Sequence, residues 1–175
     1  METLLAIDHR IFFVINHLPH PPLLDTVALT LSGIGVGGLI WLLLSILIFL
    51  RVERRDHWFF LPVVLSTTFS QFVTNMWLKD FFARNRPPGA AMSDYSFPSG
   101  HATFAWALAL VLASKQPRLK YAYFLLAALI SLSRIYLGKH YPADIVAGSA
   151  IGLGIGYFSL WVEKKIIYYR IRRWK

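Results

Sequence analysis

The stretch Ala143–Val162, ADIVAGSAIGLGIGYFSLWV, carries a single charge, Asp144, next to its start. A helix needs about 20 consecutive apolar residues to cross a bilayer core. This stretch has that length and reads as a transmembrane helix. Gly148, Gly152 and Gly156 recur at every fourth position. On a helix that spacing makes one glycine stripe, suited to close packing against a neighbour. Beyond Val162 the chain turns basic and aromatic, from Glu163 to Lys175.

Four more apolar runs lie upstream: Tyr121 to Leu137, Ser99 to Ser114, Trp58 to Leu78, and Leu23 to Leu50. Polar segments separate them, notably Lys79 to Pro98. Gly33 and Gly37 suggest a second close-packing face. Thr67, Gln71, Asn75 and Lys79 share one face of the second run in chain order, Trp58 to Leu78 with Lys79 just beyond it, because helical neighbours recur every four residues. Polar groups at such depth turn towards the bundle or a wet cavity. Hydrogen bonding between helices is the reading for Thr67 and Gln71. The expected fold is therefore an all-α polytopic membrane bundle of one domain, residues 1–175. About five transmembrane helices occupy 23–162, and a basic cytoplasmic tail occupies 163–175.

Residues 1–19 differ. Leu4, Ile7, Ile11, Ile15 and Leu18 are spaced at threes and fours, with Asp8, Arg10, Asn16 and His17 between them. That is an amphipathic helix. It lacks the basic start, long apolar core and cleavage site of a signal peptide. It is expected to lie in the membrane interface, with an ordinary first helix packed on the bundle as the alternative, and it is ended by His20-Pro21-Pro22.

Composition agrees with a bilayer environment. Of 175 residues, 56% are hydrophobic and 15% charged, with mean hydropathy +0.51; soluble domains average about 25% charged. There is no cysteine, which excludes disulfides, cysteine-ligated metals and a thiolate nucleophile. The net charge is +9, a balance that raises nucleic acid as a partner.

The positions of the bases answer that. One side of the alternating spans holds Arg51, Arg54, Arg55, Lys115, Arg118, Lys120, Lys164, Lys165, Arg170, Arg172, Arg173 and Lys175. The other holds Arg10, Lys79, Arg84, Arg86, Arg134 and Lys139. The richer side belongs in the cytoplasm by the positive-inside rule. Segments 79–98 and 134–142 then face outward. Trp58, Tyr121, Tyr168, Tyr169 and Trp174 stand near span ends, as interface anchors do. The tail abuts a span, so anionic lipid, at about 1 kcal/mol per Lys or Arg, explains it better than nucleic acid.

On the outward side Lys79, Arg86 and Arg134 converge with His101 and His140. The segment Phe97-Pro98-Ser99-Gly100-His101 starts a helix: Pro98 cannot continue one, and Ser99 is a good N-cap. Helix N-termini bind anions, and Gly100 lets backbone approach a ligand closely. Arginine offers a fork and lysine a point charge to phosphate oxygens. A histidine can attack phosphorus or protonate a leaving oxygen. Asp144, four residues after His140, can fix its tautomer. Pro142 suits the first helical position, which puts His140 before the helix. This constellation describes a phosphate site, and its cations disfavour a metal. Arg84, Lys139, His9, His17, His20 and His57 read as interfacial or structural. Asp94 and Tyr95 stand near the site without an assigned role.

Lys79-x6-Arg86-Pro87, then Pro98-Ser99-Gly100-His101, then Ser133-Arg134-x5-His140-x3-Asp144 resembles the three-part signature of the type 2 phosphatidic acid phosphatase (PAP2) superfamily, in its bacterial membrane branch. No signature position departs from the pattern. The resemblance implies that His140 attacks phosphorus, Asp144 orients it, and His101 protonates the leaving oxygen. It gives Lys79, Arg86, Ser99, Gly100 and Arg134 to the phosphoryl oxygens, and it implies no metal or cofactor. The implied reaction is hydrolysis of a lipid phosphate or diphosphate: an isoprenyl diphosphate, phosphatidylglycerol phosphate, phosphatidic acid or lipid A 1-phosphate. The implied location is a bacterial inner membrane, with the site facing the periplasm. The competing expectation is a silent lipid-phosphate binder or transporter on the same fold. The intact histidines argue against it, because binding alone needs only the cations.

Overall fold

A computed structural model describes residues 2–35, 38–51, 57–90 and 93–173. Among the described residues every regular element is helical. In chain order they are α1 (Glu2–Asn16), α2 (Pro22–Gly35), α3 (Leu39–Arg51) and α4 (Phe60–Gln71). A π-helical segment, Phe72–Leu78, continues α4 into the short α5 (Lys79–Phe82). Then come α6 (Gly100–Lys115), α7 (Lys120–Tyr136) and α8 (Pro142–Arg173).

α6 is the central helix. Its buried residues, including Ala102, Phe104, Ala105, Leu108, Val111 and Leu112, lie on every face, so neighbours surround it. α8, α7 and α4 pack around it. The glycine stripe explains the tightest of these contacts. A Cβ on Gly152 would lie 2.2 Å from the Thr103 carbonyl oxygen. One on Gly148 would meet the Ser99 carbonyl at 2.6 Å, and one on Gly156 that of Ala107 at 2.7 Å. α8 therefore rests on the backbone of α6, as the spacing anticipates. This contact brings the start of α8 against the start of α6, and the Ser99 amide donates to the Asp144 carbonyl at 3.0 Å.

The outside is apolar. Leu23, Leu39, Trp77, Tyr121, Val146 and Tyr157 are among the exposed large residues. Lys120–Tyr136 with its preceding turn, and Pro142–Tyr169 within α8, are each long and apolar enough to cross a membrane. α2 and α3 meet that test only together, as a bent pair.

Several expectations need correction. The run Leu23–Leu50 is two helices rather than one. Gly38 has φ +74, and a Cβ there would lie 2.1 Å from Phe104 Cε1. Close approach to Phe104 and a left-handed backbone both demand glycine and interrupt the helix. Gly33 faces open space rather than a helix, whereas Gly35 packs on Ile130 and His101; Gly37 lies outside the described residues. The second run continues past Leu78 to Phe82 through the π-helical segment. α8 runs on to Arg173, so the helix continues through most of the basic stretch 163–175. Arg54, Arg55, Trp174 and Lys175 lie outside the described residues.

α1 docks on the ends of α7 and α8 through polar groups. Asn16 Nδ2 donates to the Tyr136 carbonyl at 2.9 Å, and Ala143 N to Asp8 Oδ1 at 2.7 Å. Leu4, Ile7, Ile11, Phe13 and Leu18 face outward.

Candidate active site

The connection between α7 and α8 sets the site. α7 ends at Tyr136, and two residues on Gly138, with φ of +66, turns the chain left-handed. The turned chain folds back over the helix end, and the amides of Lys139 and His140 both donate to the Arg134 carbonyl, at 2.9 and 3.2 Å. Pro142 then opens α8 at the position where its missing N–H costs nothing. Asp144 reaches back to the Tyr141 amide at 2.9 Å, half of a capping box. The same carboxylate oxygen lies 3.4 Å from His140 Nδ1. So the i, i+4 spacing is realised across a helix start, as the placement of Pro142 anticipates.

On its other side, His140 Nε2 lies 3.1 Å from Arg86 Nη1. Arg86 carries no acceptor, so it donates and Nε2 accepts. The proton of the neutral ring then sits on Nδ1, facing Asp144. His140 is almost fully buried, at 1% exposure. Burial pushes its pKa down to about 4; the Asp144 hydrogen bond opposes this, and the charges of Arg86 and Arg134 reinforce it. The ring is held neutral, with a lone pair beside the cations.

A cavity of about 600 Å³ opens at this point. Lys79, Arg86, Gly100, His101, Arg134 and His140 all line it. Six of the eight sequence-assigned residues thus line one cavity. The other two stand behind it. Asp144 is fully buried. Ser99 is also fully buried, and its hydroxyl caps α6 by accepting from the Ala102 amide at 3.5 Å. His101 Nε2 is buried with no hydrogen-bond partner. Arg134 is anchored by donating to Ser32 Oγ of α2.

Two lining residues had weaker readings. Asn75 Nδ2 donates to Gln71 Oε1 along the same helix, and both face the cavity, so Gln71 is not an interhelical tie. Asp94 receives Lys79 Nζ and a fork from Arg86, through Nη2 at 2.8 Å and Nε at 3.1 Å. Although burial works against it, these two cations hold the Asp94 carboxyl below its usual range.

Arg84 is not a snorkelling base. Its Nη1 donates to Asp144 Oδ1 at 2.7 Å and its Nη2 to Asp8 Oδ2 at 2.5 Å. His9 stacks on Tyr141, with ring centroids 4.8 Å apart, and His20 bridges Asp25 and the Asn16 carbonyl. The sequence held one signal for the Arg84 network. Asp8 is four residues after Leu4 and three before Ile11, so it lies on the apolar stripe, where a carboxylate needs a partner.

A family model described as PAP2 superfamily matches residues 59–168. The chain belongs to the PAP2 superfamily. The expectation of a PAP2-type phosphatase is met. A lipid A 4'-phosphatase of Porphyromonas gingivalis is 30% identical over 98% of this chain and 78% of its own length. An undecaprenyl-diphosphatase of Bacillus subtilis is 26% identical over 86% of this chain and 81% of its own. The crystal structure of a transmembrane PAP2 type phosphatidylglycerolphosphate phosphatase from Bacillus subtilis superposes with TM-score 0.76. It covers 95% of this chain and 89% of its own at 24% identity, a likeness of fold. The membrane-spanning, all-helical PAP2 architecture expected from the sequence is therefore present.

Proposed function

We propose that this PAP2 protein hydrolyses a phosphate ester or diphosphate on a membrane lipid through a phosphohistidine at His140. One observation carries the reading: His140 Nδ1 faces Asp144 while Nε2 faces a cation-walled cavity shared with His101. In the first step His140 Nε2 forms a P–N bond as the P–O bond to the leaving group breaks. His101 gives that oxygen its proton. In the second step water attacks the phosphohistidine, His101 takes the water's proton, and the P–N bond breaks. Lys79, Arg86 and Arg134 stabilise charge on the phosphoryl oxygens throughout. Gly100 lets the α6 start approach the same oxygens, and Ser99 secures that start. Asp144 supports the positive charge that develops on the attacking ring.

The substrate class is a lipid phosphate, and the named activities of the relatives support lipid A and undecaprenyl diphosphate as first choices. The distribution of bases supports a site facing away from the cytoplasm and a cytoplasmic end of α8. A release assay tests the reaction. Detergent-solubilised protein is given lipid A, undecaprenyl diphosphate, phosphatidylglycerol phosphate and phosphatidic acid, with EDTA present. Release from at least one is expected, with loss of about 10³-fold or more in His140→Ala. Binding without release from any of the four would favour the silent-binder alternative.

A further inference from the structure

We propose that Asp8 of α1 and Arg84 are positioning residues that act through Asp144 on His140. The proposal rests on the phosphohistidine reading above and adds a chain of contacts running from the N-terminal helix to the attacking ring.

The geometry is continuous. Arg84 divides its fork between two carboxylates, Asp144 at 2.7 Å and Asp8 at 2.5 Å. Its guanidinium carbon sits 4.2 Å above the Tyr141 ring centre, which fixes the plane of the fork. The second oxygen of Asp8 takes the Ala143 amide at 2.7 Å, in the first turn of α8. Asp8 is 7% exposed and Asp144 fully buried, so solvent screens this network little. Asp144 spends one oxygen on Arg84 and the other on the Tyr141 amide and His140 Nδ1.

The chemistry follows from charge. An uncompensated Asp144 would favour the imidazolium more strongly and raise the pH below which His140 loses its lone pair. Arg84 offsets part of that carboxylate and widens the pH range over which the buried ring stays neutral. Asp8 in turn offsets part of Arg84, which leaves Asp144 enough charge to support the ring once it attacks. The other charged or titratable groups around His140 are Arg86 and Lys139 from the connecting segments, Arg134 from α7 and His101 from α6, with Lys79, Asp80 and Asp94 lining the same cavity. Tyr141 adjoins it in the chain. Of these, Tyr141 alone touches the substituted pair, through the Arg84 guanidinium over its ring.

The sign is opposite at the two positions. His140 must be neutral to attack, so activity falls as pH drops through its titration. Arg84→Gln removes a cation, stabilises the protonated ring and moves the acid limb of kcat/KM up by roughly one pH unit. Asp8→Asn removes an anion and moves the limb down by roughly half a unit. Arg84→Lys keeps the charge without the fork, and its limb stays within a few tenths of a unit of the parent's. A merely structural role would lower kcat and leave the limb in place.

The test is the pH profile of phosphate release by the full-length protein in detergent for these three variants, beside His140→Ala. Opposite shifts for Arg84→Gln and Asp8→Asn support the proposal. Unmoved limbs, or two shifts of the same sign, overturn it. If Arg84→Gln does not fold, the Asp8→Asn limb decides alone: a downward move supports the proposal, and no move or an upward move overturns it. Turnover retained by His140→Ala overturns the phosphohistidine reading instead, so the two failures are distinguishable.

Discussion

Arg86 grips Asp94 with two nitrogens, Nη2 at 2.8 Å and Nε at 3.1 Å, and the Asp94 backbone carbonyl also accepts from Nε at 3.0 Å. Lys79 binds the other carboxylate oxygen. These are two of the cations assigned to the phosphoryl group, so a carboxylate occupies the partners an incoming phosphate needs. A carboxylate and a phosphate compete for the same fork. The Asp94 side chain is 45% exposed, so the contact is partly screened and displaceable. Asp94→Asn is expected to tighten inhibition by orthovanadate or inorganic phosphate by roughly two- to fivefold. Unchanged or weaker inhibition would mean that Asp94 holds the cations in place instead of competing for them.

His101 lines the cavity with an unpartnered Nε2. A general acid matters most when the leaving group is a poor one. His101→Ala should cost about 10²- to 10⁴-fold on a lipid alkyl phosphate. On an aryl phosphate, whose phenolate leaves unaided, the loss in kcat/KM, which reports phosphohistidine formation and not its hydrolysis, should be tenfold or less. Equal losses in kcat/KM on both substrates would give His101 a role in binding rather than in proton transfer to the leaving group.

The α6–α8 contact is the structural hinge of the site, because both helix starts contribute to it. Gly152→Ala would drive a methyl into the Thr103 carbonyl at 2.2 Å, where backbone cannot yield cheaply. It should destabilise the protein by about 1–3 kcal/mol. Gly154, on the same helix, meets nothing within 4 Å. Gly154→Ala should be neutral or stabilising by up to about 1 kcal/mol. Thermal unfolding of both variants in one detergent checks the contrast.

The proposed orientation is separately testable. A cysteine placed at Ser93 in this cysteine-free chain should react with an impermeant thiol reagent from outside intact cells. One placed at Lys164 should react only after permeabilisation. The reverse pattern would invert the topology.

What the sequence revealed was the information carried by local spacing. The glycine stripe of α8 is legible because 148, 152 and 156 share a helix face. The site is legible because Lys79, Arg86, His101, Arg134 and His140 flank spans on one side. Three features were hidden because distant residues decide them. The break after α2 depends on Phe104 pressing on Gly38. The extension of α8 to Arg173 carries buried Glu163, which pairs with Lys115 at 2.5 Å, a contact spanning 48 positions. Arg84 and Asp8 are 76 positions apart; the place of Asp8 on the apolar stripe asks for a partner, but nothing local points to Arg84.

The central claim is that His140 carries the phosphoryl group. Rapid alkaline quenching during turnover of a radiolabelled lipid phosphate, followed by peptide mapping, tests it most directly. Label is expected on the His140 peptide, stable to alkali and lost in acid as a P–N bond requires, with neither label nor turnover in His140→Ala. Turnover retained in His140→Ala, or label on another residue, would contradict it.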